Sequence, residues 1–189
     1  MTWTLPTRQS GMRGLVKILE DYMEINRSAT ASSTELELLA VLDETVLSQF
    51  FHWERVEPYT VIYDRQWAPT KLYLVDKGVV EILVVDGGDD PTSLPGGAAV
   101  VRINKVSSGG IFGTDAFLLN LPHRCRALTL SETSLWSITR PDLALLEVQH
   151  PKLCLIIQQV MLKSMALLSN ATLYNHPGGL DSEYHPIYK

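Results

Sequence analysis

GGIFGTDAFLLNLPHRCRA, from Gly109 to Ala127, decides how the rest of this chain is read. Two glycines and the pair Ile111-Phe112 lead into Gly113, and Thr114 to Leu119 suits one or two helical turns. Asn120-Leu121-Pro122 then stops the helix ahead of an arginine-bearing strand. The predicted unit is strand, turn, short helix, strand. Backbone amides at the start of such a helix point into one small space. A cation leaving on the next strand faces the same space, so the unit suits a phosphate. Taken alone, the stretch reads more simply as an ordinary tight connection whose glycines only supply positive φ.

Further out, Phe112-Gly113-Thr114-Asp115-Ala116-Phe117-Leu118 is followed by Pro122-His123-Arg124-Cys125-Arg126 and, about a dozen residues on, by Leu135-Trp136. Upstream stands Leu72-Tyr73-Leu74-Val75-Asp76-Lys77-Gly78-Val79-Val80, two β-rich runs either side of an expected hairpin turn at Lys77-Gly78. In this order the segments resemble the phosphate-binding cassette and flanking strands of cyclic-nucleotide-binding domains, over Val46 to Leu168, roughly two thirds of the chain. The resemblance implies a mainly β, antiparallel β-roll of jelly-roll type with flanking helices. Two turns depart from it: the family calls for glycine where Tyr59 stands, and for Gln-Gly-Asp at Asp64-Arg65-Gln66.

In that family a cassette glutamate accepts the ribose 2′-hydroxyl and an arginine pairs with the cyclic phosphate. Those positions fall on Thr114 and His123, the latter counted from either Gly113 or Trp136. Threonine bonds a hydroxyl without bringing charge, and a neutral imidazole offers one donor where a guanidinium offers a charged fork. A slip of one residue hands the phosphate role to Arg124, with Arg126 next on the same strand face. The candidate ligand-binding residues are Gly113, Thr114, Asp115, Ala116, His123, Arg124, Cys125 and Arg126, read as a vestigial or weak site. Cyclic-nucleotide binding is expected to be lost. The alternative is a working sensor of a cyclic nucleotide or other small anion in the shifted register.

The 189 residues and 21.1 kDa suit one domain with short appendages. A hydrophobic fraction of 46% and a charged fraction of 20% exclude a wholly disordered chain. The net charge of −5 argues against a nucleic-acid partner, and no helix-turn-helix pattern follows the strands. Cys125 and Cys154 read as reduced, buried thiols. Met1 to Gly14 has no apolar signal core and no long apolar run exists, so no membrane insertion is expected. The expected location is the cytoplasm, or the cytosolic face of a membrane within a larger protein.

Residues 1–33 read as a loose lead to Arg13, a short helix from Leu15 to Asn26, and the linker RSATASS. Residues 34–168 form the expected domain. It opens with a capping box at Thr34 and Glu37 and a helix whose stripe is Leu38, Leu39, Leu42, Val46 and Phe50. DGGDDPTSLPGG, Asp86 to Gly97, reads as a mobile hairpin loop, and short strands run on to Ile138. Thr139-Arg140-Pro141-Asp142 starts a short helix that ends at His150-Pro151. Lys152 to Leu168 is the longest helical pattern. Leu153, Ile156, Ile157, Val160, Ser164, Leu167 and Leu168 suit the roll, while Cys154, Leu155, Met161, Leu162, Met165 and Ala166 are left over. The surplus is expected to meet a protein partner or a second copy, or else to be sunk beneath the N-terminal helices. Residues 169–189 read as a flexible tail.

The five histidines show no metal spacing, and Walker, dinucleotide and G-x-S-x-G signatures are absent. Neither cofactor nor metal is expected. A cupin-like metal enzyme would need histidines clustered on strands, and only His123 qualifies. The expected function is a non-catalytic regulatory or interaction module. By pattern it is similar to the C-terminal cytosolic modules of sulfate-permease-type transporters, which implies the remainder of a membrane transporter as a partner.

Overall fold

A computed structural model describes residues 8–23, 42–86 and 99–174. The chain runs α1 (Arg8–Met23), α2 (Glu44–Phe50), β1 (Phe51–Val56), β2 (Val61–Tyr63), β3 (Lys71–Lys77), β4 (Val79–Asp86) and β5 (Ala99–Ser107). It continues β6 (Ile111–Phe112), α3 (Thr114–Leu119), β7 (Arg126–Thr129), β8 (Thr133–Thr139), α4 (Arg140–Gln149) and α5 (Pro151–Tyr174). The linker at 27–33, the capping box at 34 and 37, the loop at 87–97 and the tail from 175 lie outside the described residues.

The strands form two four-stranded antiparallel sheets, in the orders β1-β8-β3-β6 and β2-β7-β4-β5. This corrects the hairpin expected at Gly78. β3 pairs with β8 in one sheet, from Lys71 opposite Thr139 to Lys77 opposite Ser134. β4 pairs with β7 in the other, from Val80 opposite Thr129 to Leu83 opposite Arg126. One long antiparallel ribbon, β3-β4 against β7-β8, is folded across both sheets, and Gly78 stands at the fold. Its φ is +97°, and a Cβ there would lie 2.5 Å from Thr133 Oγ1 and 2.7 Å from the Glu132 carbonyl oxygen. Both the backbone conformation and the close passage of the second corner require glycine.

Period-two alternation puts two cores on opposite faces of the first sheet. Tyr73, Val75 and Leu135 point into the roll with Val80, Ile82, Val106 and Phe112. Leu72, Leu74, Trp136 and Ile138 point outward under the helices. Each fully buried Leu or Phe contributes roughly 1.5–3 kcal/mol. The outer face explains why α1 begins at Arg8 rather than at Leu15. Its glycines and polar residues weaken helix propensity, but Met12, Leu15, Val16, Ile18 and Leu19 are buried, and packing overrides propensity. α2 also departs from expectation. Asp43 caps a fresh helix at Glu44, its carboxylate accepting from the Thr45 amide at 2.7 Å, so the stripe through Val46 and Phe50 does not continue unbroken from Leu42. α4 starts as read, with Thr139 as the N-cap.

α5 runs on to Tyr174 and divides its surplus. Cys154 and Met161 are buried in the cluster that includes α1, while Leu155 and Leu162 remain exposed. Leu167, expected against the roll, is exposed as well, a correction, because the helix has turned that face out of the packing by its last turns. No helix among the described residues is long and apolar enough to cross a membrane.

Candidate functional site

The expected strand, turn, helix, strand unit is present as β6, Gly113, α3 and β7. Gly113 is the N-cap of α3 with φ +78°, and a Cβ there would meet only ordinary contacts with Tyr63, His123 and the Lys71 carbonyl at 3.5–3.7 Å. The left-handed backbone, rather than space, demands glycine here. Asn120, also left-handed with φ +55°, closes α3 before Pro122.

Thr114 is buried, and its hydroxyl lies 3.4 Å from that of Ser164 on α5. The Ser164 hydroxyl donates to the Met161 carbonyl at 2.8 Å, which leaves Thr114 as donor toward α5. Asp115 is exposed, and Ala116 is core. His123 is buried and stacked flat on Tyr63, with ring centroids 3.7 Å apart and planes 8° from parallel. It belongs to a loop, not to a strand. Its amide donates to the Trp67 carbonyl at 3.0 Å, and its carbonyl accepts from the Gln66 amide at 2.8 Å. Burial pushes the imidazole below the usual histidine range, with Asp115 opposing the shift.

The two arginines do not share a strand face. β7 begins at Arg126, so Arg124 sits in the bend before it, exposed, and period-two alternation does not reach it. Arg126 is already paired: Nε and Nη2 donate to Asp64 Oδ2 at 3.0 and 2.5 Å. That pairing holds the Asp64 carboxyl below the ordinary range and raises the guanidinium. Asp64 had no signal in the sequence beyond its turn position.

A cavity of about 240 Å³ stands beside the cassette, lined by residues that include Gly113, Thr114, Asp115, Cys125, Tyr63 and Phe112. Four of the expected site residues are thus brought together. Ala116, His123, Arg124 and Arg126 are not among the lining residues, and among the described residues the lining holds no Lys, Arg or His. The aromatic residues behind the cavity were missed as site residues. Tyr73 and Phe112 stack with centroids 5.1 Å apart, and Tyr63 lies 6.0 Å from Phe112. Burial pushes the Tyr73 hydroxyl up to about 12, with Glu54 adding to the rise. Burial also raises the Tyr63 hydroxyl, with the neighbouring Cys125 adding to the rise, and the Cys125 thiol, and the charge of Asp115 adds to both. Among the described residues no group of three or more His, Cys, Asp or Glu could hold a metal ion.

No protein-family model and no curated protein matches the sequence. Solved structures do. A cyclic nucleotide-binding domain from Methylobacillus flagellatus KT superposes with a TM-score of 0.67 at 16% identity, over 87% of this chain and 81% of that one. The fold is that of a cyclic-nucleotide-binding domain. The c-di-GMP-responsive global regulator CLP of Xanthomonas campestris matches with a TM-score of 0.55 at 17% identity, over 69% of this chain. The catabolite activator protein of Thermus thermophilus matches with a TM-score of 0.50 at 20% identity, over 75% of this chain. The chain spans 61% and 55% of those two regulators.

Proposed function

We propose that this chain is a non-catalytic regulatory module on a cyclic-nucleotide-binding fold that no longer binds cyclic nucleotides and acts through protein contacts. One observation carries the reading: among the described residues the cassette cavity is lined by an aspartate and by no basic residue. A phosphate buried in a roll must exchange water for charge-assisted bonds. His123, in the phosphate position, is spent on Tyr63, Arg126 on Asp64, and Thr114 on Ser164. The contact side of the proposal rests on α5, where Leu155 and Leu162, two turns apart on one face, are 58% and 62% exposed. A transporter to which the module is joined, on the cytosolic side, is the setting that its sequence pattern supports.

Thermal melting with 1 mM cyclic AMP or cyclic GMP tests the first half. A ligand held at about 10 μM would stabilise the fold by roughly 2.7 kcal/mol and raise Tm by about 5–10 °C. No shift is expected, and a shift of that size contradicts the reading. Light scattering of the chain beside a Leu155→Glu, Leu162→Glu variant tests the second half. Association that the variant abolishes is the expected result, and a monomer in both forms counts against self-contact.

A further inference from the structure

We infer that the cassette cavity is a site for a small aromatic amine, an inference that rests on the reading above that the cyclic phosphate is no longer taken. Size sets the first bound. The cavity holds about 240 Å³, and an apolar cavity of roughly 150 Å³ accepts benzene. One ring with a short side chain fits within that volume.

The walls set the second. Tyr63, Ile82, Val106, Phe112 and Met165 present aromatic and aliphatic surface, and the Met165 thioether suits an aromatic edge. The polar groups on the lining are few and uneven in sign. Asn104 Oδ1 accepts from the Lys105 amide at 2.8 Å, so its carbonyl is partly committed. The Thr114 hydroxyl is turned to Ser164. Burial and the charge of Asp115 raise the Cys125 thiol, so it lines the cavity as a neutral group. Among the described lining residues Asp115 is the one that is formally charged, and it is exposed. An anionic ligand is repelled there, while an ammonium group reaching the mouth gains a partner and leaves its ring among the apolar walls.

The site also links its ligand to the C-terminal helix. Met165 lines the cavity, and the neighbouring Ser164 holds the hydroxyl of Thr114 at the start of α3. A ring in the cavity therefore packs on α5 itself, the helix that carries Leu155 and Leu162.

The test is calorimetric titration of the 189-residue chain with three probes that share a ring and differ in charge: 2-phenylethylamine, 2-phenylethanol and 3-phenylpropanoate. The amine is expected to bind with a dissociation constant on the order of 0.1–1 mM, given its few heavy atoms. The alcohol should bind about fivefold more weakly, the worth of one water-screened ion pair, and the acid more weakly still. Asp115→Asn should erase the difference between amine and alcohol without weakening the alcohol. Ile103→Trp, on a partly exposed position of β5, should fill the cavity and abolish all three while the melting temperature is kept. Silence toward every probe, an acid that binds as well as the amine, or a preference that survives Asp115→Asn overturns the proposal. Cyclic AMP titrated alongside separates the two levels: micromolar cyclic AMP binding contradicts the underlying loss of nucleotide binding, whereas the three aromatic probes speak to the new site.

Discussion

The imidazole of His123 lies on the Tyr63 ring at 3.7 Å, and burial lowers its proton affinity more than Asp115 raises it. A histidine whose folded pKa lies below its unfolded value near 6.5 makes the fold lose stability as pH falls, because the unfolded chain takes up the proton first. Its contribution is fully present above about pH 6.5 and is lost progressively below it. His123→Phe keeps a flat ring on Tyr63 and removes the titration. Between pH 7.5 and 5 the melting temperature of the wild type should therefore drop further than that of the variant, and equal drops would contradict a buried neutral His123. At this scale the sequence is legible where identity alone sets chemistry: neither His123 nor Thr114 brings a permanent charge to the cassette. It is not legible where a partner decides. Nothing near Arg126 in the chain announces Asp64, 62 positions away, as its acceptor. Tyr59 and Gln66 take left-handed backbones with φ +58° and +69°. Tyr59 does so where the resemblance calls for glycine, so the left-handed turn is made here by a tyrosine.

Two glycines separate space from conformation among the elements. Gly113 needs its positive φ but has ordinary room, so Gly113→Ala should cost about 1–2 kcal/mol from backbone strain alone. Gly78 has the same strain, and backbone atoms of Glu132 and Thr133 stand within 2.8 Å of where a Cβ would fall. Overpacking adds roughly 1–3 kcal/mol, so Gly78→Ala should be the more damaging change by about that amount. Urea unfolding of both variants checks the order, and equal losses would contradict the close passage of the two corners. The runs on either side of Gly78 were readable as strands from their β-branched residues. Their membership of different sheets was not, because a glycine between two strands signals a turn without saying whether the strands pair with each other or with a second pair. α5 shows the same limit. Its apolar excess was plain from the residues, but only packing assigns Cys154 and Met161 to the core beside α1 and leaves Leu155 and Leu162 outside.

Across the whole molecule, the roll and the chemistry of its cassette point in different directions. Two antiparallel sheets, an elbow at Gly113 and helices on the outer face reproduce the cyclic-nucleotide-binding fold at 16% identity to a domain of that name. Two apolar cores, one inside the roll and one under the helices, hold that architecture together. A charge-assisted hydrogen bond is worth roughly 1.5–3 kcal/mol. Losing the arginine and glutamate contacts should weaken cyclic-nucleotide binding by about two to four powers of ten. Isothermal titration of the wild-type chain with cyclic AMP and cyclic GMP measures this directly. The predicted result is no saturable heat below millimolar nucleotide; a micromolar dissociation constant that Arg124→Ala abolishes would contradict it and show that the shifted register forms a working site.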